Sequence, residues 1–141
     1  MGHIYQELIN LKELHGLKNL CGFFSRRIFM ECTIYLAEGC NLKCTYCYEG
    51  IDKKTGKMDI RTFDQTLAFI MKNRVENDKI HIVFLGGEPL LNKPLFFYAI
   101  NKINSDYKEI RDQFKLEMTT NGVFLDDNVI KVVKRSEEHT S

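Results

Sequence analysis

Three short β-favouring stretches, each followed by a loop and then by a helical repeat, constrain this 141-residue chain most tightly. Glu31 to Ala37 sets Cys32, Ile34 and Leu36 on one face and Thr33, Tyr35 and Ala37 on the other, the alternation of a strand. Ile80 to Leu85 is a near-continuous apolar run ending at Gly86, as expected of a buried parallel strand. Phe114 to Thr119 alternates Phe114, Leu116 and Met118 against Lys115, Glu117 and Thr119. Between and after these runs the period changes. Asp59 can cap a helix that carries Phe63, Leu67, Ile70 and Met71 on one stripe and runs to about Val75. Asn92 and Pro94 start a second helix, with Leu95, Tyr98, Ala99, Lys102 and Ile103 in period. Asp126 or Asp127 caps a third, carrying Val129, Ile130 and Val133. Strand and helix alternating three times imply an α/β fold with a parallel sheet and right-handed crossovers.

In such folds the loops that leave the C-terminal ends of the strands share one edge of the sheet, and active sites are built there. The loop after the first strand holds Cys40, Cys44 and Cys47, spaced CxxxCxxC. The loop after the second reads Gly86-Gly87-Glu88-Pro89, and the one after the third Thr119-Thr120-Asn121-Gly122. Three distant stretches are therefore expected to meet in one composite site.

Three of the 5 cysteines crowd into that first loop, an odd number that no disulfide framework accounts for. Clustered thiolates bind metal, and iron–sulfur clusters ordinarily take four. Three local ligands leave one iron of a [4Fe–4S] cube open, and an open position is what separates a catalytic metal site from a structural one. Gly86 and Gly87 let a ligand approach the backbone, Glu88 supplies charge, and Pro89 biases Glu88 toward an extended conformation. Asn121-Gly122 by itself is a turn signal.

Composition excludes several classes. A net charge of +1 provides no electrostatic footprint for nucleic acid or an anionic membrane. No apolar run spans a bilayer, and the N-terminus lacks the layout of a signal peptide. Gln6 stands where myristoylation requires Ser or Thr. Reduced, clustered cysteines without an export signal point to the cytoplasm.

With these motifs in place, the stretch from about Glu31 to about Lys134 resembles the radical S-adenosylmethionine (radical SAM) superfamily. The marks are CxxxCxxC with Tyr46 before its last cysteine, then Gly-Gly-Glu-Pro and Thr-Thr-Asn-Gly. The wording Cys-Asn-Leu-Lys-Cys-Thr-Tyr-Cys-Tyr-Glu and Gly-Gly-Glu-Pro-Leu-Leu-Asn is most similar to the sulfatase-maturating and SPASM-type peptide-maturase subgroup. The resemblance implies a partial (β/α) TIM-like barrel of the radical SAM type, truncated to about three βα units after an N-terminal helix. It implies that Cys40, Cys44 and Cys47 hold a [4Fe–4S] cluster that reductively cleaves S-adenosylmethionine to a 5′-deoxyadenosyl radical, which abstracts hydrogen from a substrate. Gly86, Gly87, Glu88 and Pro89 are implied to bind the aminoacid end of that cofactor, with Glu88 on its ammonium. Thr119, Thr120 and Asn121 are implied to contact its ribose or carboxylate, and Tyr46 to lie near adenine. A peptide or protein substrate and an electron donor such as flavodoxin or ferredoxin complete the expectation.

Two bland readings stand beside this one. A fully ligated electron-carrier cluster or a closed zinc site would need a fourth ligand, which Cys21 or Cys32 could supply. Cys32, inside a strand, is better read as core filling, and Cys21 is equally bland. His3, His15 and His81 show no partner spacing, and the Lys53-Lys54 pair reads as a solvated loop. Ile4 to Leu20 has helical apolar spacing and is expected to pack on the barrel or to be the remnant of a leader-binding segment; Phe23 to Phe29 is a basic-aromatic connector. The expected division is 1–30 for helix and connector, 31–134 for the radical SAM core, and 135–141 for a tail. That tail, Arg135 to Ser141, resembles the conceptual translation of a sequencing adapter and is left out of the fold reading.

Overall fold

A computed structural model of the protein describes residues 30–50 and 54–137. The helix expected over Ile4 to Leu20, its connector, Cys21 and the last four residues of the expected tail lie outside the described residues. Within them the order is β1 (Met30–Ala37), α1 (Ile60–Asn73), β2 (Ile80–Gly86), α2 (Lys93–Asp106), β3 (Phe114–Met118) and α3 (Asp127–Glu137). The strands form one parallel sheet in the order β1-β2-β3, with Ile34 opposite Phe84 and Phe84 opposite Met118. Among the described residues the sheet has these three strands, and its sequential order with a helix after each strand is consistent with part of a radical SAM β/α fold.

One sheet face carries the core. Ile34, Leu36, Ile80, Ile82, Phe84 and Phe114 are buried against Phe63, Leu67 and Ile70 of α1 and Phe96, Ala99, Ile100 and Ile103 of α2. Phe84 meets Phe96 edge-to-face with centroids 5.8 Å apart, a favoured aromatic geometry. Cys32 packs against this core as expected. The other face shows Glu31, Thr33, Tyr35, His81, Lys115 and Glu117, and His81 reaches Glu31 (3.3 Å) and Glu117 (3.1 Å) across the sheet.

The helix starts follow their caps. The Asp59 carboxylate accepts the Thr62 N–H at 2.7 Å, so the expected cap is in place. A single-turn 3₁₀ helix, Pro89–Asn92, precedes α2. On α3 the expected stripe shifts: Val129 and Val132 are buried while Ile130 is 43% exposed, because positions three apart share a helix face and adjacent ones do not. The α3 helix continues through Arg135, Ser136 and Glu137, residues expected in the non-native tail.

Asp126 ties two helix starts together. Its Oδ1 accepts the Asn128 and Val129 N–H groups at 3.0 and 2.9 Å, and its Oδ2 accepts from Lys93 Nζ at 2.6 Å. The Lys93 ammonium first, then the Val129 N–H, holds the Asp126 carboxyl below its ordinary value. A folded value below the unfolded one means stability that is fully present above the unfolded pKa and lost as pH falls through the folded one. Asp126→Asn is expected to flatten the rise in unfolding free energy between about pH 2 and 5, read by urea denaturation across that range.

Candidate functional site

Each motif leaves the sheet at the same edge, and backbone hydrogen bonds knit the first two together. Gly87 N donates to Ala37 O at 3.1 Å and Glu88 N to Gly39 O at 2.8 Å. The cysteine loop leaves at Gly39 and its returning limb is held at the same neck, with Glu38 N on Gly56 O (2.8 Å) and Met58 N on Leu36 O (3.1 Å). Buried Asn92 closes the neck: its Nδ2 donates to Leu36 O and Met58 O, each at 2.9 Å. Asn92 was expected only to start a helix. It is a structural part of the site, and its place in the run Gly-Gly-Glu-Pro-Leu-Leu-Asn was the available signal.

The glycine pair has a different immediate cause from the one expected. A Cβ on Gly86 would strike the Ala37 carbonyl oxygen, and one on Gly87 the Gly39 carbonyl oxygen. Gly86 also has a φ of +143°, a region other residues avoid. What comes close to these glycines is the backbone that begins the cysteine loop. Gly87→Ala must part the two segments that the Glu88–Gly39 bond joins. It is expected to cost about 2–3 kcal/mol, the scale of overpacking, in a urea unfolding titration.

Glu88 departs most from expectation. The implied role put its carboxylate on an incoming ammonium, yet the residue is 0% exposed. Its Oε1 accepts from Leu90 N (2.9 Å) and Thr120 Oγ1 (2.8 Å), and its Oε2 from Asn121 N (2.8 Å). Pro89 is buried beside it and opens the 3₁₀ turn. Here Glu88 joins the second motif to the third. Thr119 stands just past β3 and extends the ladder, its N–H donating to Phe84 O at 3.2 Å. Asn121 then reaches the first motif, with Nδ2 2.9 Å from Asn41 Oδ1 and 3.6 Å from Cys40 Sγ.

Cys40, Cys44 and Cys47 are half-buried on one loop, with Cys47 N on Cys44 O at 3.2 Å. Among the described residues, no three Cys, His, Asp or Glu side chains are grouped closely enough to hold a metal ion. The donor set nonetheless fits a cluster bound through three thiolates. Cys40 Sγ already accepts from Leu42 N at 3.4 Å, the kind of N–H contact that supports cluster sulfur. Cys32 does not fit as a fourth ligand. It stands within β1 and packs against the hydrophobic core, not on the loop that carries the other three thiols. Tyr46, expected beside adenine, is 88% exposed, so core packing does not account for its ring.

A family model described as the Radical SAM superfamily matches residues 34–139. Among characterised and uncharacterised relatives, an uncharacterised protein of Methanocaldococcus jannaschii is 30% identical over 95 residues, 67% of this chain and 31% of its own. A GTP 3′,8-cyclase of Campylobacter jejuni subsp. doylei is 36% identical over 96 residues, 67% of this chain and 28% of its own. One of Clostridium botulinum is 34% identical over 105 residues, 72% of this chain and 30% of its own. The chain thus spans less than a third of each relative's length. No helix among the described residues is long and apolar enough to cross a membrane.

Proposed function

Because the chain belongs to the radical SAM superfamily, whose members use a [4Fe–4S] cluster and S-adenosylmethionine, we propose that it is the cofactor-binding part of an enzyme that abstracts hydrogen from its substrate. One observation carries the reading: all three motifs meet at one sheet edge, and Glu88, Asn121 and Cys40 connect them in sequence. Cys40, Cys44 and Cys47 would hold the cluster. The backbone around Gly86 and Gly87, together with Thr119 and Thr120, would bind and orient S-adenosylmethionine, and Tyr46 would cover its adenine. When bound, cluster and cofactor supply the 5′-deoxyadenosyl radical; the protein binds, orients and keeps out competing reactants. Reduced flavodoxin or ferredoxin is the proposed electron donor. The proposed setting of the sheet is a (β/α) barrel, whose remaining strands would pair on the β3 edge, where β2 is the only partner among the described residues.

The motif wording supports a peptide or protein substrate, as in SPASM-type maturases. A specific observation favours a second class: named relatives at 34–36% identity are GTP 3′,8-cyclases. Residues 34–139, which match the superfamily model, hold the cofactor motifs, and these relatives are covered to less than a third of their length, so the likeness bears more on the cofactors than on the substrate. The test is 5′-deoxyadenosine release under anaerobic conditions with S-adenosylmethionine and reductant, with GTP or a peptide pool added. Release stimulated by GTP supports the nucleotide class, and release stimulated by peptide supports maturation. No release from full-length protein with its cluster in place would overturn the reading.

A further inference from the structure

We propose that Asn121 is a positioning residue for the Cys40 sulfur, holding it in place and drawing charge from it, with buried Glu88 as the anchor that aims it. The inference rests on the cluster reading above. Glu88 Oε2 accepts the Asn121 N–H at 2.8 Å, which fixes the backbone where the loop leaves β3. Gly122 N donates to Thr120 Oγ1 at 3.1 Å, and Gly122 turns the chain with a φ of +81°. That turn brings Val123 N onto Asn121 Oδ1 at 3.0 Å.

This last bond decides which way the side-chain amide faces. Its oxygen takes a backbone N–H, so its nitrogen must lie on the opposite side. There Nδ2 meets Asn41 Oδ1 at 2.9 Å and Cys40 Sγ at 3.6 Å. A flipped amide would set oxygen against oxygen at Asn41 and N–H against N–H at Val123. The donor is therefore pointed at Cys40 and its neighbour by a constraint that does not involve the cysteine.

Hydrogen bonds to cluster sulfur are among the protein's means of setting reduction potential, because they stabilise the more negative, reduced cluster. Removing the Asn121 donor should make the cluster harder to reduce without removing a ligand. The full chain is reconstituted anaerobically with iron and sulfide, and the cluster is titrated potentiometrically by electron paramagnetic resonance with no substrate present. Asn121→Leu removes the donor without adding charge; Asn121→Asp removes it and adds charge while keeping the acceptor for Val123. Both are expected to retain wild-type iron and sulfide. Both should show about tenfold less reduced cluster at a fixed potential, equal to about 59 mV for one electron.

An unchanged midpoint in Asn121→Leu overturns the proposal, even if Asn121→Asp shifts, because charge alone then explains the shift. If neither variant takes up a cluster, pulsed resonance is run on Asn41→Ser protein carrying asparagine labelled with ¹⁵N at the side-chain amide alone, so that the labelled amide beside Cys40 is that of Asn121. A ¹⁵N coupling to the reduced cluster is expected, and its absence overturns the proposal. Wild-type protein that takes up no cluster would refute the cluster reading itself. A cluster-bearing wild type with unshifted variants refutes only the role of Asn121.

Discussion

Replacing any one of Cys40, Cys44 and Cys47 by alanine is expected to abolish cluster binding, whereas Cys32→Ser should leave it intact. The three thiols sit on one loop between Gly39 and Gly50, outside the hydrophobic core. Losing one leaves two thiolates for a cube that needs at least three protein ligands in this reading. Acid-labile sulfide and iron should then fall to background, and S-adenosylmethionine cleavage with them. That loss exceeds the roughly 10–100-fold cost of removing a residue that only supports a metal ligand. Stability of the cluster-free protein should change by no more than about 1 kcal/mol, since the three thiols are half-buried on a loop outside the core. Cys32 gives the opposite pattern. Its thiol packs against the core and is kept protonated by burial. Cys32→Ser should lower stability by about 1 kcal/mol through a half-buried hydroxyl set against the core, with iron and sulfide unchanged. Iron loss in Cys32→Ser would revive the four-ligand electron carrier and count against the proposed enzyme.

The strand and helix pattern was largely legible, because periods of two and 3.6 are written in side chains that the core must bury. The faces assigned to Cys32, Ile34 and Leu36 and to Phe114, Leu116 and Met118 are those that meet the helices. Helix α3 was read with less success. Its expected stripe of Val129, Ile130 and Val133 missed Val132, which packing buries in place of Ile130. Strand polarity brought the motif loops to one edge, so the location of the site was legible too. What each side chain does there was not. Periodicity says nothing about a loop residue's direction, so the inward turn of Glu88 had no sequence signal beyond the Pro89 that follows it. The glycine pair was read as room for a ligand, and the Ala37 and Gly39 backbones take that room. Asn41 and Asn92 passed as ordinary loop and cap residues because their partners lie 80 and 56 positions away in the chain.

Glu88→Ala is expected to destabilise the fold by about 3–4 kcal/mol, a large share of the 5–15 kcal/mol typical of a domain. The carboxylate is fully buried, and three donors converge on it: Leu90 N, Thr120 Oγ1 and Asn121 N. The Thr120 hydroxyl can rotate to a new acceptor, but the two backbone N–H groups cannot. A buried donor left unsatisfied costs about 1–3 kcal/mol, and a hydrogen bond to a charged acceptor is worth more than one to a neutral one. Glu88→Gln tests the same idea with nearly constant volume. Its amide keeps one acceptor and turns an NH₂ group either on Leu90 N–H or on Asn121 N–H, so a donor faces a donor whichever way it flips. A loss of about 2 kcal/mol is expected, read by urea denaturation. Thr120→Val should cost less than either: it removes one donor to Glu88 and the acceptor of the part-buried Gly122 N–H, and leaves both carboxylate oxygens bonded to backbone. The order Glu88→Ala, then Glu88→Gln, then Thr120→Val identifies Glu88 as the strut between the loops after β2 and β3. A Glu88→Gln variant as stable as wild type, but with weaker binding of S-adenosylmethionine to the reconstituted cluster, would instead restore Glu88 to the cofactor's ammonium. In that case the buried carboxylate would have to leave Leu90, Thr120 and Asn121 when the cofactor enters, and the loop after β3 would shift with it.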